Sequence, residues 1–469
     1  MASSETNIEL SRAVDGGHGA RSTSQHSSRT HHTDETSVST SEVEQPSLPP
    51  VDGGKAAWLV LAGCCLIQAP VWGFPLSFGI FQEYYTSGRA ELKGSTSSIA
   101  VIGTSASGIL YLSAPIMFTL LTRYPRMRRF CGPVGLVITV VSLVLSSLAS
   151  SVWQLIATQG VLCAIGSGLL YSPTTLYLDE WFIRRKGLAY GVMGGAKSLT
   201  GVVLPFIMSA SLEKYGFRTT LRAWAVALFL MTSPLLMFLK PRLHLPATSA
   251  ARPLDWSLLK SNTFWMLQTG NIIQSLGYFL PTTYLASYAA RIGLTNVTGT
   301  LMVSILNATS VFGSVLIGIL NDHMRVTNVI LITTIGSTLA VIIFWGLYTH
   351  VAMLAVFAII YGFFAGGYSS TWPGIQKTMK DEIPSIETGL VFGLLAGGRG
   401  IGNVISGPLS VLLLEAKWPE SGKSFGFNTE YGPVILFTGA TALFGGWSWI
   451  WRTLEKAHIA CSVPRRSSD

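Results

Sequence analysis

The sequence predicts an all-α membrane protein of twelve transmembrane helices, arranged as two pseudo-symmetric six-helix bundles. Three observations lead there. Of the 469 residues, 49% are hydrophobic and only 12% charged, where a soluble domain carries roughly 25% charged residues. The apolar residues fall in blocks of about 20 or more, the length that crosses a ~30 Å hydrocarbon layer at ~1.5 Å per residue. The blocks also form two sets of six, separated by a polar loop.

The first 55 residues read as a cytoplasmic tail. Seventeen of the first 50 are Ser or Thr and four are His. Such a segment buries too little apolar surface to offset its ordering entropy, so disorder is expected. It carries no apolar stretch of the signal-peptide kind near its start. Nothing fixes the geometry of His18, His26, His31 and His32, and no metal site is expected of them.

Six spans follow, at about 56–80, 97–121, 130–150, 152–178, 188–211 and 221–239. They make an N-terminal bundle over 56–239. A cytoplasmic loop, 240–262, leads to spans at about 263–288, 298–320, 328–348, 351–375, 389–414 and 432–451. These make a C-terminal bundle over 263–452, and 453–469 form a second tail. An even number of spans puts both tails on one side. That side holds 22 of the 32 Lys and Arg, the opposite loops hold 8, and Lys197 and Arg399 lie inside spans. The bias places both termini in the cytoplasm. The net charge of +9 then reads as basic loops against a lipid bilayer, not as a nucleic-acid surface. Asn296-Val-Thr298 forms a glycosylation sequon in an outside loop. Cys64, Cys65, Cys131 and Cys163 sit in spans and Cys461 in the tail; all read as small packing residues, with no disulfide framework.

The halves carry an internal repeat. At an offset of 202, "GLAYGVMGGAKSLTGVVLP" from Gly187 aligns with "GLVFGLLAGGRGIGNVISG" from Gly389. Five of nineteen pairs are identical: Gly187/Gly389, Leu188/Leu390, Gly191/Gly393, Gly195/Gly397 and Val202/Val404. Lys197 falls opposite Arg399. Each cation lies about ten residues, or ~15 Å, from the cytoplasmic end of its span, near the bilayer midplane. Facing lipid there would cost at least ~2.5–3.5 kcal/mol, so both should face protein or a water-filled cavity. Transporters built from related halves bind substrate at that depth. Arg399 is therefore a candidate carboxylate clamp, its rigid fork suited to two oxygens, and Lys197 a second candidate. Gln274, Tyr278, Asn307, Asn403, Tyr171 and Tyr368 are polar groups that could complete the site. Glu83, near the outer end of the first span, is the candidate for proton coupling. Asp179, Glu180 and Asp322 lie near inner ends.

"GVMGGAKS" nearly spells a nucleotide-binding loop, but Ala196 stands where that loop needs glycine and the stretch reads as a membrane helix. No metalloprotease or serine-hydrolase motif occurs, and no cofactor motif. An enzyme is not expected.

The two-by-six layout resembles the major facilitator superfamily. More narrowly, "DGGKAAW" from Asp52 and "EWFIRRKGLAYG" from Glu180 resemble the two signatures of the monocarboxylate porter family, especially its fungal members. "GILNDHMR" resembles the superfamily's loop motif in Gly318, Asp322 and Arg325; with the basic pair Arg184 and Arg185 these are candidate gating residues. The chain departs from animal members in lacking a cation in the first span and an acid–arginine pair in the eighth. The resemblance implies alternating access around a central cavity, and a small organic anion as substrate, often carried with a proton. The expected function is secondary transport of a small carboxylate-bearing compound, a monocarboxylate or a secondary metabolite, at the plasma membrane. The competing class is a non-transporting membrane sensor that uses the same cavity.

Overall fold

The computed structural model describes residues 50–95, 98–239, 241–242, 254–416 and 425–462. The Ser/Thr-rich tail with its four histidines and most of the central loop lie outside them. Among the described residues all regular structure is helical, apart from one isolated bridge between Lys93 and Ser151. A chain in hydrocarbon must satisfy its own backbone N–H and C=O groups, and helices do so within each segment.

In chain order the helices are α1 (Gly54–Thr86), α2 (Ile99–Leu112), α3 (Ala114–Arg123), α4 (Arg128–Ser147), α5 (Val152–Leu155), α6 (Cys163–Trp181), α7 (Lys186–Phe238) and α8 (Asn262–Tyr278). Then come α9 (Leu280–Arg291), α10 (Asn296–His323), α11 (Val326–Leu339), α12 (Val351–Gly366), α13 (Trp372–Glu382), α14 (Thr388–Glu415), α15 (Gly432–Phe444) and α16 (Trp447–Ser462). Ten helical stretches among the described residues are long and apolar enough to cross a membrane. Several are composites. A π-helical stretch, Ile156–Leu162, joins α5 to α6. The 3-10 turn Tyr368–Thr371 joins α12 to α13. The latter rod runs on to Glu382, past the end expected near residue 375.

Two expected boundaries look different in the structure. The fifth and sixth spans were expected to be separated by a loop at 212–220; instead the chain stays helical on both sides of one residue, Gly216, at φ 72° and ψ 170°. That backbone geometry is essentially reserved for glycine. The seventh span is two shorter helices, of 17 and 12 residues, meeting at Phe279. Pro281, in the first turn of α9, has no N–H to continue the ladder of α8. Gly216→Ala is expected to destabilise the protein by about 1–3 kcal/mol, because an L side chain is strained at that φ and ψ. A thermal-unfolding temperature equal to that of the parent would refute this.

Large apolar side chains such as Leu59, Ile116, Leu230, Phe312 and Leu412 face outward, each 63–70% exposed. This is the surface a lipid environment requires. Inside, small residues set the helix spacing. A Cβ on Gly191 of α7 would stand 2.6 Å from the carbonyl oxygen of Ser314 in α10. A Cβ on Gly393 of α14 would stand 2.8 Å from Cβ of Phe118 in α3. These two glycines are partners in the sequence repeat. Each lies on a seam that joins a helix of the first half of the chain to one of the second.

Candidate functional site

Between the two seams lies a cavity of about 40 Å³. Helices of the first half contribute Gln68, Trp72, Tyr111, Tyr171, Tyr190, Met193, Gly194 and Lys197 to its wall. The second half contributes Ser369, Ser370, Trp372 and Phe392. Ser369 and Ser370 reach it because the chain there forms the 3-10 turn between α12 and α13; a mid-helix change of pitch of this kind commonly marks a hinge. The cavity has room for water-sized molecules.

Lys197 is the one charged residue in the wall. Its ammonium lies 4.9 Å from the centroid of the Trp72 ring. It makes no ion pair among the described residues. Two other wall residues carry a buried group without a partner among the described residues: Trp72 its indole N–H and Ser370 its hydroxyl. Buried donors are normally bonded. Three unpaired donors around one cavity mark a place where acceptor atoms are missing.

Arg399 sits beside this cavity, within reach of Tyr111 in its wall and of the Lys197 charge. It is 1% exposed and absent from the cavity wall. Its Nη1 donates to Oε1 of Gln274 at 2.9 Å. The guanidinium carbon lies 4.2 Å from the centroid of the Tyr278 ring and 5.8 Å from those of Phe279 and Tyr368. Three rings and an amide thus box the charge, a cation–π arrangement that desolvation strengthens, while Nε remains unpartnered. Gln274, Tyr278 and Tyr368 belong to this box.

The remaining polar candidates divide between wall and seams. Tyr171 is in the cavity wall. Asn307 donates to the carbonyl oxygen of Val303 in its own helix at 3.1 Å and to that of Gly201 at 3.4 Å, the latter across the α7–α10 seam. Asn403 donates to the Ser107 hydroxyl at 2.9 Å, across the α2–α14 seam. Glu83 is exposed near the end of α1 and does not line the cavity. Trp72, Trp372, Phe392 and Ser370 were not singled out from the sequence. Aromatic and hydroxyl residues are common in apolar spans, and no spacing separates those that meet in a cavity from the rest.

The end of the molecule where α6 finishes and α7 begins is held by carboxylates, Glu180 among them through its 2.6 Å bridge to Arg128. Asp322, at the end of α10, accepts the backbone N–H groups of Gly187 at 2.7 Å and Leu188 at 2.8 Å. These are first-turn donors of α7 with no partner inside the helix, and the helix dipole favours an anion there. Asp179, at the end of α6, accepts the hydroxyl of Tyr190 at 2.6 Å and that of Thr388, the first residue of α14, at 2.9 Å. It also pairs with Lys186 at 2.8 Å. Asp52 accepts the backbone N–H groups of Ile183, Arg184 and Arg185, each at 2.9 Å. The two stretches quoted for the family resemblance therefore meet in space. Arg184 and Arg185 act here through their backbones, with exposed side chains. Arg325 is exposed, at the residue before α11.

Burial alone would push the Asp52 carboxyl up, but the three backbone donors and the Arg184 charge outweigh it and hold it below its ordinary value of 3.8. A carboxylate depressed in the folded state stabilises it above the unfolded pKa, and that contribution disappears as pH falls through the folded pKa. Tryptic cleavage after Arg184 and Arg185 in the detergent-solubilised protein, scaled at each pH to an unstructured control peptide, should therefore be as slow at pH 5.5 as at pH 7.5. Asp52→Ala should raise it at both. Equal cleavage of variant and parent would show that the Asp52 cap does not order this turn.

A family model described as the Major Facilitator Superfamily matches residues 60–407. The MFS-type transporter pynF of Aspergillus niger is 30% identical over 83% of this chain and 88% of its own length. The agnestins efflux protein AgnL12 of Paecilomyces divaricatus is 30% identical over 81% of this chain and 87% of its own. The fujikurins efflux protein of Gibberella fujikuroi is 31% identical over 73% and 74%.

Proposed function

This chain belongs to the Major Facilitator Superfamily, and on that premise we propose that it is a secondary transporter that exports a small carboxylate-bearing metabolite by alternating access. The observation that carries the reading is Lys197: a cation without an ion-pair partner among the described residues, in the wall of a cavity that draws on both halves and contains no Asp or Glu. Such a cavity lacks an anion. Export as the direction is supported by relatives named as efflux proteins. The paired signatures at Asp52 and Glu180 support the fungal monocarboxylate porter branch.

In this reading the molecule has twelve spans in two six-helix bundles. Counting the two arms of α7 on either side of Gly216 separately, and α8 with α9 as one span, supports that number. The placement of Lys and Arg supports cytoplasmic termini, with the Asp322, Asp179 and Asp52 contacts closing the cytoplasmic side of a transporter in the plasma membrane. Substrate enters when these contacts release, meets Lys197, and leaves when the opposite ends of the α7–α10 and α2–α14 seams part. An inside-negative potential favours outward movement of an anion by ~2.3 kcal/mol per charge per 100 mV. No coupling acid is then required inside the cavity.

The test is efflux from proteoliposomes loaded with a panel of labelled organic acids, with an imposed potential and with or without a proton gradient. Potential-driven efflux of an acid that Lys197→Gln removes supports the reading. Stimulation by protons that Glu83→Gln removes would add proton coupling through Glu83. No efflux of any acid from folded protein would overturn the transporter assignment proposed for this cavity.

A further inference from the structure

We propose that the cavity is built for a planar aromatic acid, its ring held among aromatic side chains and its carboxylate on Lys197, Trp72 and Ser370. This rests on the reading of the chain as an organic-anion transporter, and it names the class of anion.

The composition of the wall is the first ground. Six of its twelve residues carry aromatic rings, and Met193 is the one aliphatic side chain of any length. Aliphatic walls would fill space without preferred ring geometry, whereas aromatic walls add a ring–ring preference to apolar burial. The second ground is how the rings are shared. Phe392 of α14 lies 5.0 Å from the Trp372 ring, 5.5 Å from Tyr190 and 6.3 Å from Tyr171, centroid to centroid. Tyr190 and Tyr171 belong to the first half, Phe392 and Trp372 to the second. Parting the halves breaks these ring contacts between them. An entering aromatic ring replaces them in kind; a saturated ring fills the gap without the edge-to-face term.

The third ground is the polar end. Lys197, Trp72 and Ser370 all belong to the cavity wall. The indole and the hydroxyl have no hydrogen-bond partner, and the ammonium has no ion pair among the described residues. A carboxylate has about four lone-pair sites and accepts from several donors at once. A neutral amide of the same shape would leave the ammonium without an anion.

The test is calorimetric titration of the purified full chain with three probes: naphthalene-2-carboxylate, decahydronaphthalene-2-carboxylate and naphthalene-2-carboxamide. The aromatic acid is expected to bind about tenfold more tightly than the saturated acid, the worth of two ring–ring contacts, and more tightly than the amide. Phe392→Leu should cut the aromatic-over-saturated preference to roughly threefold or less by removing the shared ring. Phe392→Tyr should recover most of it. Lys197→Gln should instead erase the acid-over-amide preference and spare the ring preference. Equal binding of the two acids, weakened alike by Lys197→Gln, would overturn the aromatic assignment and leave the organic-anion reading standing. Equal binding of acid and amide, or binding of none of the three, would overturn both.

Discussion

Lys197→Gln should abolish organic-anion transport while the protein still folds and inserts. The substitution removes the one charge in the cavity wall. Losing one partner of a desolvated, hydrogen-bonded charge pair costs about 2–5 kcal/mol. That is a loss of roughly 30-fold to several thousandfold in apparent affinity for the anion. Lys197→Arg should recover only part, because the planar fork places its donors differently from a compact ammonium. The Arg399→Gln variant should behave differently from Lys197→Gln. Arg399 is boxed by Gln274, Tyr278, Phe279 and Tyr368, and does not line the cavity. We expect its loss to lower the maximal rate, by loosening α8, α14 and the turn after α12, more than it raises the half-saturating concentration. Concentration-dependent efflux from proteoliposomes separates the two. A large affinity loss in Arg399→Gln with little change in Lys197→Gln would reverse the roles assigned here.

Asp322→Ala should unlatch the α7–α10 seam at its charged end. Two backbone donors at the start of α7 lose their carboxylate. Removing a capping side chain costs about 0.5–2 kcal/mol, and the lost anion at a helix N-terminus adds up to about 1 kcal/mol more. Each 1.4 kcal/mol shifts a two-state equilibrium about tenfold. Amide exchange over residues 186–190 should accordingly speed up by about two- to a hundredfold in the variant. Asp322→Asn keeps one acceptor oxygen and should fall between. Asp179 gives an internal comparison. Its bonds to Thr388 and Tyr190 tie α14 and the cavity wall to the same region, so Asp179→Asn should speed exchange at the start of α14 and leave residues 186–190 less affected. Exchange in Asp322→Ala indistinguishable from the parent would mean that the seam is held by the close Gly187–Gly318 and Gly191–Ser314 contacts alone.

The sequence located this protein in the membrane, and counting along the helices predicted how deep Lys197 and Arg399 lie. Long apolar blocks with few charges have one physical reading, because hydrocarbon tolerates neither exposed backbone nor unpaired charge. The same penalty singled out Lys197 and Arg399. The repeat that pairs them also pairs Gly191 with Gly393, and each of those glycines lies at a close helix approach. Asp322 was readable because a short loop motif carries it. Two kinds of information were not readable. Helix breaks at single residues, as at Gly216 and Phe279, leave no polar loop behind.

Direction around a helix was the other missing quantity. Lys197 and Arg399 hold the same repeat position, yet the fold turns one into a cavity and boxes the other among three rings and an amide. Composition and periodicity fix how deep a residue lies, since depth follows from counting along a helix at ~1.5 Å per residue. Which neighbours surround it depends on helices hundreds of residues away in the chain. Gln274 reaches Arg399 from α8, and Ser370 meets Lys197's cavity through a 3-10 turn. Contacts of that range are set by the mutual fit of all the helices, and only the tertiary structure decided them.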